Sequence, residues 1–114
     1  MKGGEQINIY VGETLLASNV RVADTFFARL KGLLGSTQTE GLLIKPCNQV
    51  HCFGMKYNID VIFISQDSIV CHIQPDMKPG GISPIIKKAK SVLELPSGRA
   101  KEINVGDKLI FKEG

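Results

Sequence analysis

"GLLIKPCNQVHCFGMKYNIDVIFISQDSIVCHIQ", residues 41–74, decides how this chain folds. It holds four apolar runs, GLLIK, QVHCFGM, DVIFIS and IVCHIQ, and the breaks between them are short: Pro46, then KYN, then QDS. Short apolar and β-branched runs bounded by turn residues read as strands, and their close succession points to a small β-barrel or a sandwich-like domain. The flanks agree. "QINIYV" (6–11) alternates and is β-branched, and "GE" then turns the chain into "TLLASNVRVA" (14–23), giving a hairpin or two successive strands. Downstream, "SVLELP" (91–96) and "GDKLIF" (106–111) read as two more strands, with "SGRAKEIN" (97–104) as a short helical turn between them.

One segment has helical period. In "DTFFARLKGLLG" (24–35), Phe26, Phe27, Leu30, Leu33 and Leu34 recur at i, i+1, i+4, i+7 and i+8. Asp24 is a good N-cap and Gly35 a good stop, so the pattern predicts one amphipathic helix over about residues 24–34, packed on the sheet. "PDMKPGGISPIIKKAK" (75–90) carries three prolines and a glycine pair and is the longest irregular stretch. Irregular segments of about a dozen residues are uncommon unless mobile or functional.

At 114 residues the expectation is a single domain, 1–114, large enough to bury one core without disulfides. The net charge of +3 is below what a dedicated nucleic-acid binder carries, so nucleic acid is not an expected partner. Lys87, Lys88 and Lys90 read as a solvated basic edge that guards against aggregation. No apolar run approaches the roughly 18 residues of a membrane span, and no membrane association is expected. The N-terminus lacks a continuous apolar stretch of signal-peptide type. Three cysteines with no Cys-x-x-Cys pair suit free thiols in a reducing, cytoplasmic setting.

Chemistry concentrates around residues 47–60. Side chains alternate along a strand, so Gln49, His51, Phe53 and Met55 share one face while Val50, Cys52 and Gly54 share the other. A His51–Cys52 dyad is therefore geometrically poor. Cys47 has the parity of His51, but in an extended chain their Cα atoms sit about 13 Å apart. In the IVCHIQ run the same rule puts Ile69, Cys71 and Ile73 on an apolar face opposite Val70, His72 and Gln74. No ligand spacing such as Cys-x-x-Cys occurs. The ordinary reading is buried thiols and packed methionine, with no metal and no cofactor expected. A carboxylate inside an apolar strand must reach an edge or find a partner. Asp60 and Glu94 are such carboxylates, and His51 could serve either. Such a pair can run acid–base chemistry or hold two strands together, and the structural role is favoured. Nucleotide-loop and nucleophile-elbow motifs do not occur. "KPGG" (78–81) could offer N–H groups to an anion, though a plain loop tip is the simpler reading.

These residues together resemble a family known as domain of unknown function 192, also called uncharacterised protein family 127. "ARLKGLLG" resembles the family's helix, "GLLIKPCNQVHCFGMKYNIDVIFIS" its His–Phe–Met–Asp signature before an apolar strand, "LELPSG" its Glu-Leu-Pro/Ala-x-Gly segment and "VGDKLIF" its terminal strand. Gly54 stands where the family often has a bulky aromatic and Cys52 where it often has Thr. The resemblance implies a mostly β domain with one helix, and marks His51, Phe53, Met55, Asp60 and Glu94 as lining a shared site; it implies no reaction.

The leading functional expectation is a binding or accessory domain with a pocket around His51, Met55 and Asp60, with Phe53, Asn58 and Glu94 beside them, for a small polar ligand or a peptide. Two alternatives stand: an accessory protein in which the signature only holds the fold, and a hydrolase using a His–carboxylate pair. The oligomeric state and the ligand's identity stay open.

Overall fold

The structure, a computed structural model, describes residues 5–23, 41–52 and 57–114. Within them run seven strands: β1 (Gln6–Val11), β2 (Thr14–Ala23), β3 (Gly41–Ile44), β4 (Ile59–Ser65), β5 (Val70–Met77), β6 (Ala89–Pro96) and β7 (Leu109–Glu113). They form one mostly antiparallel sheet in the order β5-β4-β6-β3-β2-β1-β7. The exception is the parallel β2–β3 pair. A parallel pair needs a long connection, and here residues 24–40 supply it. The helix expected over 24–34 falls in that connection, outside the described residues.

The sheet curls until its two edge strands meet at one end. Ile69 and Lys108 form a bridge there. The Val70 N–H donates to Asp107 O and the Leu109 N–H to Ser68 O, both at 2.8 Å. Barrel-like closure of this kind removes part of the open edge that a flat sheet would expose. The expected mostly β architecture is therefore a half-barrel of one curled sheet. The helical turn expected after β6 is a 3-10 turn, Arg99–Glu102.

At β4 both faces of the sheet are buried, which explains that strand's unbroken apolar run. Ile62, Ile64, Leu43, Leu93, Leu95 and Val20 point inward into the main core. Ile59, Val61, Phe63 and Val92 point outward and are covered by Val50 and Cys52. Gly41 lets β3 lie against β6: a Cβ there would come within 2.7 Å of the Glu94 carbonyl oxygen.

The covering piece is a ribbon and differs from the expected QVHCFGM strand. Residues 48–52 run beside 80–86 rather than joining the sheet. Cys52 N–H donates to Gly81 O, Ser83 N–H to Val50 O and Ile86 N–H to Asn48 O. Ser83 Oγ accepts the Val50 N–H at 2.9 Å. The irregular stretch after Met77 is thus tied down, because it covers apolar side chains that the sheet would otherwise expose. Within the ribbon the alternation holds: Val50 and Cys52 are buried, Gln49 and His51 exposed.

In β5 the alternation fails. Phe63 pairs with His72 but Ile64 with Val70, leaving Cys71 as an extra residue, a β-bulge. Val70 and Ile73 consequently both pack towards the inner core, Ile69 is exposed, and Cys71 leans on the outer cluster. A second bulge follows where Ile59 pairs with Met77 but Val61 with Gln74.

Candidate functional site

The second bulge is built around Asp60. Its neighbours in β4, Ile59 and Val61, point outward, so alternation turns Asp60 inward, where it is 2% exposed. Asp60 Oδ1 accepts the Asp76 N–H at 2.8 Å. Oδ2 accepts the Gly98 and Ala100 N–H groups at 2.9 and 2.7 Å. One carboxylate thus fixes the bulge in β5 and the start of the 3-10 turn. Asp76, with φ 52°, lies within this bulge. Its Oδ1 accepts from Asn58 Nδ2 at 2.9 Å and from Ser97 Oγ at 2.8 Å. Those two hydrogen bonds hold the Asp76 carboxyl below the usual carboxylate range. Beside this network lies a depression of about 560 Å³, lined by Asp60, Ile73, Pro75, Asp76, Ser97 and Lys101 among others.

Glu94 points the other way. In β6 it faces Val61 and Leu42 across the outer face, is 5% exposed, and its Oε2 has no hydrogen-bond partner. Burial pushes its carboxyl up to about 8. Burial, and then the charge of Glu94, push the Cys52 thiol up to about 11. A buried thiol with a raised pKa is the reverse of an activated nucleophile. Arg21 pairs with Leu42 from the opposite side, and its Nε and Nη2 are also buried without partners.

His51 stands on the exposed side of the ribbon, in a bridge with Ile82. The expected site residues therefore occupy three places: His51 on the outer surface of the ribbon, Glu94 on the sheet face beneath it, Asp60 with Asn58 at the inward-facing end. Among the described residues no hydrogen bond joins His51 to either carboxylate. Phe53 and Met55 fall outside the described residues. Among the described residues no three His, Cys, Asp or Glu side chains gather as a metal site. The KPGG tip has spent its amides, Gly80 N–H on Cys52 O and Gly81 N–H on Lys78 O. Lys87, Lys88 and Lys90 are exposed at the turn into β6, as a solvated basic edge would be.

Sequence reasoning passed over Arg21, Asp76 and Ser97. Arg21 alternates with Val20 and Val22 and so reads as a solvent-facing strand residue. Its guanidinium Nε and Nη2 are nonetheless buried. For Asp76 and Ser97, the Pro75-Asp76 and Ser97-Gly98 pairs mark turns, but nothing local says that the two turns meet.

Two solved structures share this fold. One is a protein of unknown function from Novosphingobium aromaticivorans DSM 12444, with TM-score 0.77 and 22% identity over 92% of this chain and 83% of that one. The other, from Sinorhizobium meliloti 1021, is described as a candidate transcription regulator, with TM-score 0.71 and 22% identity over 94% of this chain and 92% of that one. At such identity the likeness establishes architecture alone. No curated protein matches the chain. No described helix is long and apolar enough to cross a membrane. The model of domain of unknown function 192, described as an uncharacterized ACR family, matches residues 7–111, and this chain belongs to that family.

Proposed function

We propose that the protein is a binding domain for a small polar ligand or short peptide, with its site in the depression beside Asp60. The observation that carries this reading is the volume of about 560 Å³ bordered by both a carboxylate and an ammonium group, Asp76 and Lys101. Ligand sites typically span about 300–1,000 Å³ and combine apolar walls with a few fixed polar groups. Ile73 and Pro75 supply apolar wall, and Asn58 and Ser97 fix the Asp76 carboxylate. Asp60 is scaffold in this reading, since both its oxygens are taken by backbone donors. His51 plays no part, because its ribbon covers the opposite face. That separation also leaves the hydrolase alternative without support. Three free cysteines support a reducing, cytoplasmic location as part of the proposal.

The test is an NMR titration of the uniformly labelled chain with free amino acids and dipeptides. Saturable amide shifts confined to residues 73–76 and 97–101, and abolished by Lys101→Glu, are expected. Shifts that map to the 48–52 ribbon, or no saturable shift with any probe, would refute the assignment.

A further inference from the structure

The second strand of the ribbon and the turn after it, "KPGGISPIIKKAK" (78–90), present a surface that the depression beside Asp60 does not use. Ile82 and Ile85 are 61% and 60% exposed. A single exposed isoleucine calls for no account. Here two stand at most about 11 Å apart along the chain, and each borders a lysine-bearing turn. Ile82 follows the turn closed by Gly81 N–H on Lys78 O, and Ile85 precedes the turn closed by Ala89 N–H on Ile86 O. Lys87 and Lys88 form the tip of that second turn. The ribbon holds both isoleucines out. Between them Ser83 is buried, its Oγ accepting the Val50 N–H at 2.9 Å and its carbonyl accepting from Gln49 Nε2 at 3.1 Å. Ile86 turns back onto the outer cluster. Turning Ile82 or Ile85 inward would break these fastenings.

The charge around them has one sign. Lys78, Lys87, Lys88 and Lys90 are exposed, and neither 45–52 nor 77–90 contains an aspartate or glutamate. Among the described residues Lys87, Lys88 and Lys90 have no ion-pair partner. We infer that this edge of the ribbon adheres to an anionic lipid surface, with Ile82 and Ile85 entering the headgroup region and the lysines lying over its negative charge. Residue type favours lipid over an acidic protein. Protein interfaces gather Tyr, Trp and Arg and are poor in Lys, and carboxylates are best gripped by the arginine fork. Residues 78–90 offer Lys and Ile with no Arg, Tyr or Trp. Nucleic acid bases would find no aromatic platform there either. Hydrated ammonium groups on flexible stems suit the diffuse field of a leaflet, where each strengthens partitioning by about fivefold. Adhesion of this kind needs no spanning segment, only a polar surface with apolar side chains that reach the headgroup boundary. The ribbon covers the outer face and the depression beside Asp60 faces inward, so the two stand or fall separately.

The test is sedimentation of the full chain with vesicles of phosphatidylcholine alone and of phosphatidylcholine with roughly one-third phosphatidylglycerol. Binding to the anionic vesicles only, weakening as sodium chloride rises from about 0.05 to about 0.5 M, is expected. Lys87→Gln with Lys88→Gln should lower the partition coefficient by roughly 25-fold, at about fivefold per lysine. Ile82→Ser with Ile85→Ser should lower it by roughly tenfold while leaving the charge intact. All four positions are exposed, so both double variants should keep the wild-type circular dichroism. The inference is overturned if anionic vesicles do not bind the chain, if neutral vesicles bind it equally, or if the isoleucine variant binds undiminished. It is also overturned if a polyglutamate peptide saturably shifts the 82–88 amides while vesicles do not, which would make this a protein-docking surface. Self-association of the wild type that the isoleucine variant abolishes would equally overturn it, by assigning the patch to a second copy of the chain.

Discussion

Replacing Asp60 by asparagine removes one acceptor from a carboxylate that serves three backbone donors, and its effect can be worked from the geometry. The asparagine oxygen is best kept on the side of Gly98 and Ala100, where two N–H groups converge at 2.9 and 2.7 Å. Its amide nitrogen then faces the Asp76 N–H, which the Oδ1 oxygen now accepts at 2.8 Å. Donor meets donor, so that bond is lost and a partly buried N–H is stranded, at about 1–3 kcal/mol. The two surviving bonds lose their charge assistance, worth together about another 1 kcal/mol. Asp60→Asn should therefore lose about 2–4 kcal/mol. Asp60→Ala, which strands all three donors, should lose about 3–9 kcal/mol, a large part of the roughly 5–15 kcal/mol that holds such a domain folded. Urea unfolding at neutral pH measures the first variant; with an m-value of about 2 kcal/mol/M the midpoint falls by roughly 1–2 M at unchanged slope. Amide exchange adds the local signature, with faster exchange at Asp76, Gly98 and Ala100 and little change at Val50 or Cys52. A loss below about 1 kcal/mol, or exchange that rises in the ribbon instead, would refute the role assigned to Asp60.

Phe63, fully buried against the ribbon and edge-on to His72 at 5.4 Å, should cost about 3–5 kcal/mol as Phe63→Ala in the same urea assay. His51→Ala should change stability by no more than about 0.5 kcal/mol, because the side chain is exposed and holds no carboxylate; a loss comparable to Phe63→Ala would contradict that placement. Glu94 makes stability depend on pH in a definite direction: its carboxyl is near 4.5 in the unfolded chain and about 8 when folded. The folded chain holds the proton longer, so this contribution is complete below about 4.5, declines as pH rises at about 1 kcal/mol per unit, and levels off above about 8. Glu94→Gln should remove that decline, so the variant gains on wild type between pH 5 and 8; parallel pH profiles for the two proteins would disprove it.

Local patterning carries far in this chain. The apolar runs named β1 to β6 and the last strand appear where the sequence places them, because β-branched runs between Gly, Pro and Asn turns have few other uses. Val50 and Cys52 facing inward, with Gln49 and His51 outward, follows from strand alternation alone. Alternation breaks at Cys71 and again before Met77, where β5 spends one residue more than β4. A bulge is a property of two paired strands, so one strand's sequence does not announce it.

The candidate site shows the same division. Residue identity was enough to say that Asp60 and Glu94, inside apolar strands, must be partnered or perturbed. Where their partners lie is a matter of strand order. Asp60 meets donors 16, 38 and 40 residues away, and Arg21 comes level with Glu94 only because β3 inserts between β2 and β6. Periodicity is written in neighbouring residues, whereas pairing and register depend on which distant edges find each other when the sheet closes. The sequence by itself determined a mostly β domain and the residues that burial would trouble. The tertiary structure alone decided that Asp60 holds a bulge, that His51 stands apart from both carboxylates, and that Arg21 and Glu94 share one face of the sheet.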